Sequence, residues 1–182
     1  MAILVLAGLW NSGPAHWQSH WEQQHPDWVR VPHRDWETPD GDEWVAELDA
    51  AIARCATPPV LVAHSLACAL VTRWAASGSP HEVAGAFLVA PSDTDAPSYP
   101  DSTTGFQPMQ LAPLPFPTLV VASTNDPYVD IARARQFAQA WGSDFKEIGD
   151  AGHINGDAGY GAWPEGAQLL AAFCASLTPA VD

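Results

Sequence analysis

The run VLVAHSLACAL at residues 60–70 places a serine where it could act as a nucleophile. Four apolar residues and a histidine precede Ser65, and a helix-like sequence begins directly after it. A strand, a sharp turn and a helix that share one serine form a nucleophile elbow, which lifts the hydroxyl above the carboxyl edge of a parallel sheet. The usual pattern is G-x-S-x-G, and Ala63 and Ala67 stand at its two glycine positions. Because alanine is the next smallest side chain, the run still predicts an elbow at Ser65.

A serine hydroxyl is a weak nucleophile at neutral pH, so the chain must also supply a base and an acid that orients the base. On folds with a nucleophile elbow these partners follow in the order serine, acid, histidine. Asp126 follows an apolar run in the loop STNDP, and His153 lies in the glycine-rich loop GDAGHIN. The order and spacing predict a catalytic triad of Ser65, Asp126 and His153 at the carboxyl edge of the sheet. Asp93 also follows an apolar run, and it is the alternative acid.

The remaining histidines are assigned to packing or to the surface. His64 adjoins the nucleophile, and we expect its side chain to point away from Ser65 and either to pack or to form a hydrogen bond behind the site. His16 is a packing residue or lines the mouth of a pocket. The others are expected on or near the first helix or in loops, and they are His20, His25, His33 and His81.

Two backbone N–H groups are needed to hold an oxyanion. Leu66, the residue after the nucleophile, is predicted to supply one of them from the helix N-terminus. The loop GLWN after the first strand is predicted to supply the other, through Leu9 as first choice or Trp10 as second. A substrate pocket is predicted around four apolar or aromatic residues that flank the site, which are Trp10, Phe106, Tyr128 and Ile154.

Short apolar runs alternate with amphipathic segments along the whole chain, which predicts an α/β fold with a parallel sheet covered on both faces. The predicted strands are residues 3–7, 28–31, 60–63, 86–90, 118–122 and 144–148. The predicted helices start at Ser12-Gly13-Pro14, at Thr38-Pro39, at Ser65, near Asp130 and near Pro164. The segment 91–117 is too long for an ordinary connection, and we expect it to cover the carboxyl edge of the sheet near Ser65.

The composition narrows the class of protein. A chain of 182 residues with 47% hydrophobic residues suits one domain over residues 1–182. The 7 Lys and Arg against 21 Asp and Glu give a net charge of −14, which argues against nucleic acid as a partner. No apolar run approaches the ~20 residues of a membrane span, and the apolar start lacks the basic region of a signal peptide. We therefore expect a cytoplasmic protein that does not bind membranes.

The three cysteines, Cys55, Cys68 and Cys174, have no spacing typical of a zinc site. Their alanine-rich surroundings predict buried free thiols in a reducing compartment. Neither a metal nor an organic cofactor is expected.

The sequence resembles the small serine hydrolases of the retinoblastoma-binding protein 9 / YdeN family within the α/β-hydrolase superfamily. The similar stretches cover nearly the whole chain and are residues 8–17, 63–65, 115–118, 123–129, 141–145, 149–155 and 159–166. The resemblance implies a sheet of about six mostly parallel strands without a large cap domain, and a triad on Ser65, Asp126 and His153. The L-x-C-x-E motif after which the mammalian member is named is incomplete, because Leu70 stands at the glutamate position. A retinoblastoma-type partner is therefore not expected.

These observations together predict a serine hydrolase that cleaves small carboxylic esters through an acyl-enzyme. Two alternatives share the fold: an aminopeptidase or amidase that uses the same triad, and a protein-binding module that has lost turnover.

Overall fold

The computed structural model describes residues 1–177 and contains one parallel sheet of six strands in the order β2-β1-β3-β4-β5-β6. All five neighbouring strand pairs are parallel. The strands are β1 (Ile3–Leu6), β2 (Val29–Arg30), β3 (Val60–His64), β4 (Gly85–Val89), β5 (Thr118–Ala122) and β6 (Asp144–Glu147). The central strands β1, β3 and β4 are buried along their whole length, as continuous apolar runs require.

Five helices cover the two faces of the sheet. They are α1 (Trp17–Gln24), α2 (Gly41–Ala53), α3 (Leu66–Ala76), α4 (Ile131–Trp141) and α5 (Pro164–Leu177). Alternate strand residues point to opposite faces, so Leu61 and Leu88 join one core with α2, α3 and α4. Val62 and Phe87 join the other core with α1 and α5. The prediction of a three-layer α/β fold is confirmed.

Two helices begin later than the sequence suggests. α1 begins at Trp17 rather than at Ser12-Gly13-Pro14, because the His16 side chain accepts a hydrogen bond from the Gln18 N–H and caps the helix there. α2 begins at Gly41 rather than at Pro39, because the Asp40 carboxylate, and not Thr38, accepts from the backbone N–H groups of the first turn. A proline near the predicted start was a misleading signal in both places.

The segment between β4 and β5 covers the carboxyl edge of the sheet, as predicted. Its first part, residues 92–100, contributes to the wall of a cavity above Ser65. Its middle part packs over α2, where Thr104 pairs with Asp40 and the Phe106 ring meets Trp44. Only the first part of the segment is therefore available to contact a substrate.

Among the described residues, no helix is both long enough and apolar enough to cross a membrane.

Candidate active site

Ser65 lies in a strained turn between β3 and α3. Its φ of 59° and ψ of −123° fall in a region that side-chain-bearing residues rarely adopt. The fully buried Ala63 and Ala67 keep strand and helix close together. The tightest approach comes instead from Gly8, where an added Cβ would lie 2.9 Å from both the Ser65 Cβ and the His64 carbonyl oxygen. Glycine is therefore required at position 8, whereas alanine suffices at the two positions that flank the serine.

Three side chains from distant parts of the chain form one line of hydrogen bonds. The Ser65 hydroxyl oxygen lies 2.8 Å from Nε2 of His153. Nδ1 of the same ring lies 2.9 and 3.0 Å from the two carboxylate oxygens of Asp126. Ser65 follows β3, Asp126 follows β5 and His153 follows β6, so all three stand at the carboxyl edge of the sheet. The structure brings together the three residues predicted as a triad.

The alternative acid, Asp93, has a different partner. Its two carboxylate oxygens accept from Nε and Nη2 of Arg133 at 3.1 and 3.3 Å. Nη2 of Arg133 also donates to Asp95 at 2.9 Å. Asp93 is thus neutralised by a guanidinium on α4, and Asp126 alone of the two carboxylates meets the imidazole of His153.

His64 supports His153 from behind. Its Nε2 lies 2.9 Å from the backbone carbonyl oxygen of His153, so the ring donates its proton there and points away from the Ser65 hydroxyl, as predicted. His16 lies against His64 with 4.6 Å between the ring centroids. Burial is the main cause that lowers the pKa of both rings, and it brings the pKa of His16 to about 3. Both rings are therefore neutral near neutral pH.

The two predicted backbone donors, Leu9 and Leu66, line the same cavity. An added Cβ on Gly8 would come within 3.2 Å of the Leu66 nitrogen, so the loop after β1 touches the start of α3. The Trp10 N–H is already engaged, because it donates to the Trp36 carbonyl oxygen at 2.8 Å. Leu9, by contrast, has no backbone acceptor among the described residues, and both Leu9 and Leu66 face the cavity. This geometry favours Leu9 over Trp10.

A cavity of about 380 Å³ opens above Ser65. Trp10 and Tyr128 line it, as predicted, and both are exposed for large hydrophobic residues, at 63% and 46%. Phe106 and Ile154 were wrongly predicted to line it. Phe106 is buried in the core beside Trp44, and Ile154 is buried in the opposite core, where its carbonyl oxygen accepts from the Trp17 indole. Both Phe106 and Ile154 pack in the hydrophobic core instead of lining the cavity.

Sequence reasoning missed Ser92. Its hydroxyl oxygen lies 2.8 Å from that of Ser65. The available signal was its position, because Ser92 follows β4 as Asp126 follows β5, and β4 adjoins the nucleophile strand.

The cysteines differ in part from expectation. Cys68 is fully buried and its thiol pKa is raised by burial, but Cys55 and Cys174 are only half-buried. All three are free thiols. Within residues 1–177, no group of histidine, cysteine and carboxylate side chains is arranged to hold a metal ion.

Comparison with known proteins defines the class. The model of the family described as "Serine hydrolase" matches residues 3–172, and the chain belongs to that family. It is therefore an enzyme, a hydrolase of the α/β superfamily that takes small-molecule substrates.

Solved structures refine that assignment. A protein from Pectobacterium atrosepticum described as a YdeN-like hydrolase is 37% identical, with a TM-score of 0.87 over 98% of this chain and 92% of that one. The ydeN gene product of Bacillus subtilis is 17% identical, with a TM-score of 0.78 over 96% and 98% of the two chains. A thermophilic esterase from Thermogutta terrifontis is 14% identical and shares the fold, with a TM-score of 0.73 over 97% and 90%. The resemblance to the YdeN group is confirmed. No curated protein matches the sequence.

Proposed function

We propose that this protein hydrolyses small carboxylic esters, with Ser65 as nucleophile, His153 as general base and acid, and Asp126 as the orienting carboxylate. The observation that carries the proposal is the unbroken line of hydrogen bonds from the Ser65 hydroxyl through His153 to Asp126. An ionised carboxylate can only accept, so Asp126 holds the His153 proton on Nδ1 and leaves Nε2 free to accept from Ser65.

The reaction has two halves. In acylation the Ser65 oxygen attacks the ester carbonyl, its proton passes to Nε2 of His153, and the same proton then reaches the departing alcohol. In deacylation a water molecule gives its proton to Nε2 and attacks the acyl carbon, after which the bond between that carbon and Ser65 breaks and the proton returns to the serine. Asp126 stabilises the imidazolium that forms in each half.

The oxyanion is assigned to the backbone N–H groups of Leu66 and Leu9. Leu66 is the first residue of α3, so its N–H has no carbonyl within the helix to donate to. Together with Leu9 it would place two donors on one side of Ser65. Removing one donor of this kind typically costs about 3–4 kcal/mol in the transition state.

The size of the cavity supports small substrates. Its volume of about 380 Å³ lies near the lower end of the range for ligand pockets, and the exposed rings of Trp10 and Tyr128 stand at its wall. We expect short acyl chains to be cleaved faster than long ones.

Two measurements test the proposal. A fluorophosphonate probe should label the wild-type protein at Ser65, and Ser65→Ala should abolish the label while circular dichroism shows an unchanged fold. A series of p-nitrophenyl esters, run beside aminoacyl anilides, should show highest kcat/KM on the short esters. Faster cleavage of the anilides would replace the esterase proposal with an amidase, and a folded wild-type protein that takes no label would refute the triad.

A further inference from the structure

The Ser65 hydroxyl has two hydrogen-bonding neighbours, His153 and Ser92. Which group donates in each hydrogen bond follows from where the available protons lie. Nε2 of His153 carries no proton while Asp126 holds the proton on Nδ1, so Ser65 must donate its only proton to His153. The second contact, 2.8 Å to the Ser92 hydroxyl, then has only one possible direction. Ser92 donates and Ser65 accepts.

Ser92 is held firmly in this position. The chain turns sharply after β4 at Ala90, which has a φ of 48°, and the next residue, Pro91, is buried. The Ala90 N–H donates to the Val121 carbonyl oxygen at 2.8 Å. On the other side, the Asp93 N–H donates to the Tyr128 carbonyl oxygen at 3.1 Å, and Arg133 binds the Asp93 carboxylate. The residues on both sides of Ser92 are thus fixed, Ala90 to strand β5 and Asp93 to the loop that carries Asp126 and to α4.

The location of Ser92 separates it from the proposed oxyanion site. In the sheet, β3 lies between β1 and β4. Leu9 follows β1, whereas Ser92 follows β4, so the two approach Ser65 from opposite sides. Ser92 therefore contacts the nucleophile oxygen from the side of Ser65 that faces away from Leu9.

We propose that Ser92 is a further catalytic residue whose hydroxyl donates a hydrogen bond to the Ser65 oxygen as that oxygen leaves the acyl group in deacylation. This inference rests on the proposed function. An ester oxygen is a weak acceptor, but negative charge develops on it when its bond to the acyl carbon breaks, and a fixed donor then binds it more strongly. The proton that ends on Ser65 comes from His153, and Ser92 keeps its own.

The same hydrogen bond acts differently in acylation. There the reaction begins from the Ser65 hydroxyl, which is already a good acceptor, so the bond from Ser92 strengthens less on the way to the transition state than it does in deacylation, which begins from a weakly accepting ester oxygen. Losing Ser92 should therefore slow deacylation much more than acylation.

The test follows p-nitrophenyl acetate hydrolysis by stopped flow in wild type, Ser92→Ala, Ser92→Thr and Ser102→Ala. Ser102 lies exposed on the same segment and outside the cavity, so it controls for loss of a serine there. In Ser92→Ala we expect a burst of p-nitrophenol, followed by a steady rate about 10- to 100-fold below wild type, the effect typical of a hydrogen bond to a developing charge. Intact-mass spectrometry should detect the accumulated acetyl-enzyme. Ser92→Thr keeps the hydroxyl and should restore turnover to within a few-fold.

Several results would overturn the inference. Ser92→Ala with wild-type burst and steady rates would exclude any role for the hydroxyl. A slower release of p-nitrophenol without acetyl-enzyme would place its effect in acylation, and a loss that Ser92→Thr does not restore would indicate packing alone. If the wild-type protein neither takes the fluorophosphonate label nor releases p-nitrophenol, the proposed function itself fails.

Discussion

Asp126 and Asp93 occupy equivalent places in the sheet and have different partners. Each follows the carboxyl end of a strand, β5 and β4 respectively, and those two strands are neighbours. The Asp126 side chain is 0% exposed and binds the His153 imidazole, whereas the Asp93 side chain is 15% exposed at the cavity wall and binds the Arg133 guanidinium. Position at the sheet edge therefore makes a carboxylate a candidate for the site, and the side chain that it binds, an imidazole or a guanidinium, decides its role.

The first prediction compares the two carboxylates directly. Asp126→Asn should lower kcat by about 10³- to 10⁴-fold, because an amide no longer holds the His153 proton on Nδ1. Asp93→Asn should lower kcat less than about 10-fold, because it weakens only the ion pair with Arg133 that holds the segment carrying Ser92. Steady-state kinetics on a short p-nitrophenyl ester measures both. Equal losses in the two variants would show that Asp93 takes part in orienting the base.

A second prediction tests whether Asp126 is enough to position His153 without the hydrogen bond from His64. His64→Phe removes the donor to the His153 carbonyl and keeps a ring of similar size, so kcat should fall about 10-fold, the effect of losing one buried hydrogen bond. KM should stay unchanged, since His64 supports the base through its backbone. His64→Gln retains an N–H donor and should recover most of kcat. An equal loss in both variants would indicate packing rather than positioning.

A third prediction concerns His16, the neutral histidine that packs against His64. Burial, with smaller effects from Arg30 and His153, lowers the pKa of His16 from 6.5 to about 3. The unfolded chain therefore binds one more proton than the folded chain between these two values. The neutral His16 destabilises the fold least above pH 6.5. Below that value the free energy of unfolding falls as the pH falls towards 3, by about 1.4 kcal/mol per pH unit. Urea unfolding between pH 7 and 4.5 gives the free energy of unfolding as a function of pH. In His16→Gln this free energy should fall less steeply with decreasing pH than in wild type, by the equivalent of about one bound proton. An unchanged slope would show that His16 titrates normally.

The smallest expected effect comes from removing the ion pair between Arg133 and Asp93. Arg133→Met removes the guanidinium that binds Asp93 and Asp95 but keeps apolar contact with Phe137. We expect a loss of about 1 kcal/mol in the free energy of unfolding, because the ion pair is only partly shielded from water. kcat should fall a few-fold as Ser92 loosens. A loss of kcat as large as that of Asp126→Asn would contradict the division of roles between the two acids.

Local patterns were enough to predict the turn at Ser65 and that Ser65, Asp126 and His153 come together. The apolar run before Ser65 and the small residues around it reflect the backbone crowding at that turn, and crowding acts between residues close in sequence. The strands could also be predicted from local sequence, because a strand buried on both faces must be apolar throughout. The choice between Asp126 and Asp93 was different, since it depended on Arg133, which is 40 residues from Asp93.

Phe106, Ile154 and Ser92 show where local patterns fail. The sequence predicts that Phe106 and Ile154 line the pocket, but both side chains are buried in the core, at 1% and 0% exposure. The position of Ser92 after β4 is only a weak signal, because a serine after a strand is common and its distance from Ser65 is what gives it a role.

The amino-acid sequence by itself determined the α/β fold, the turn that exposes Ser65 and the identity of the groups available for chemistry, because these follow from apolar periodicity, residue size and chain order. Only the tertiary structure decided which carboxylate meets His153, which backbone N–H remains free after Trp10 has donated to Trp36, and which hydroxyl reaches the nucleophile. The physical reason is that hydrogen bonds act over about 3 Å, and such short distances between remote residues are set by the packing of the strands and loops that carry them.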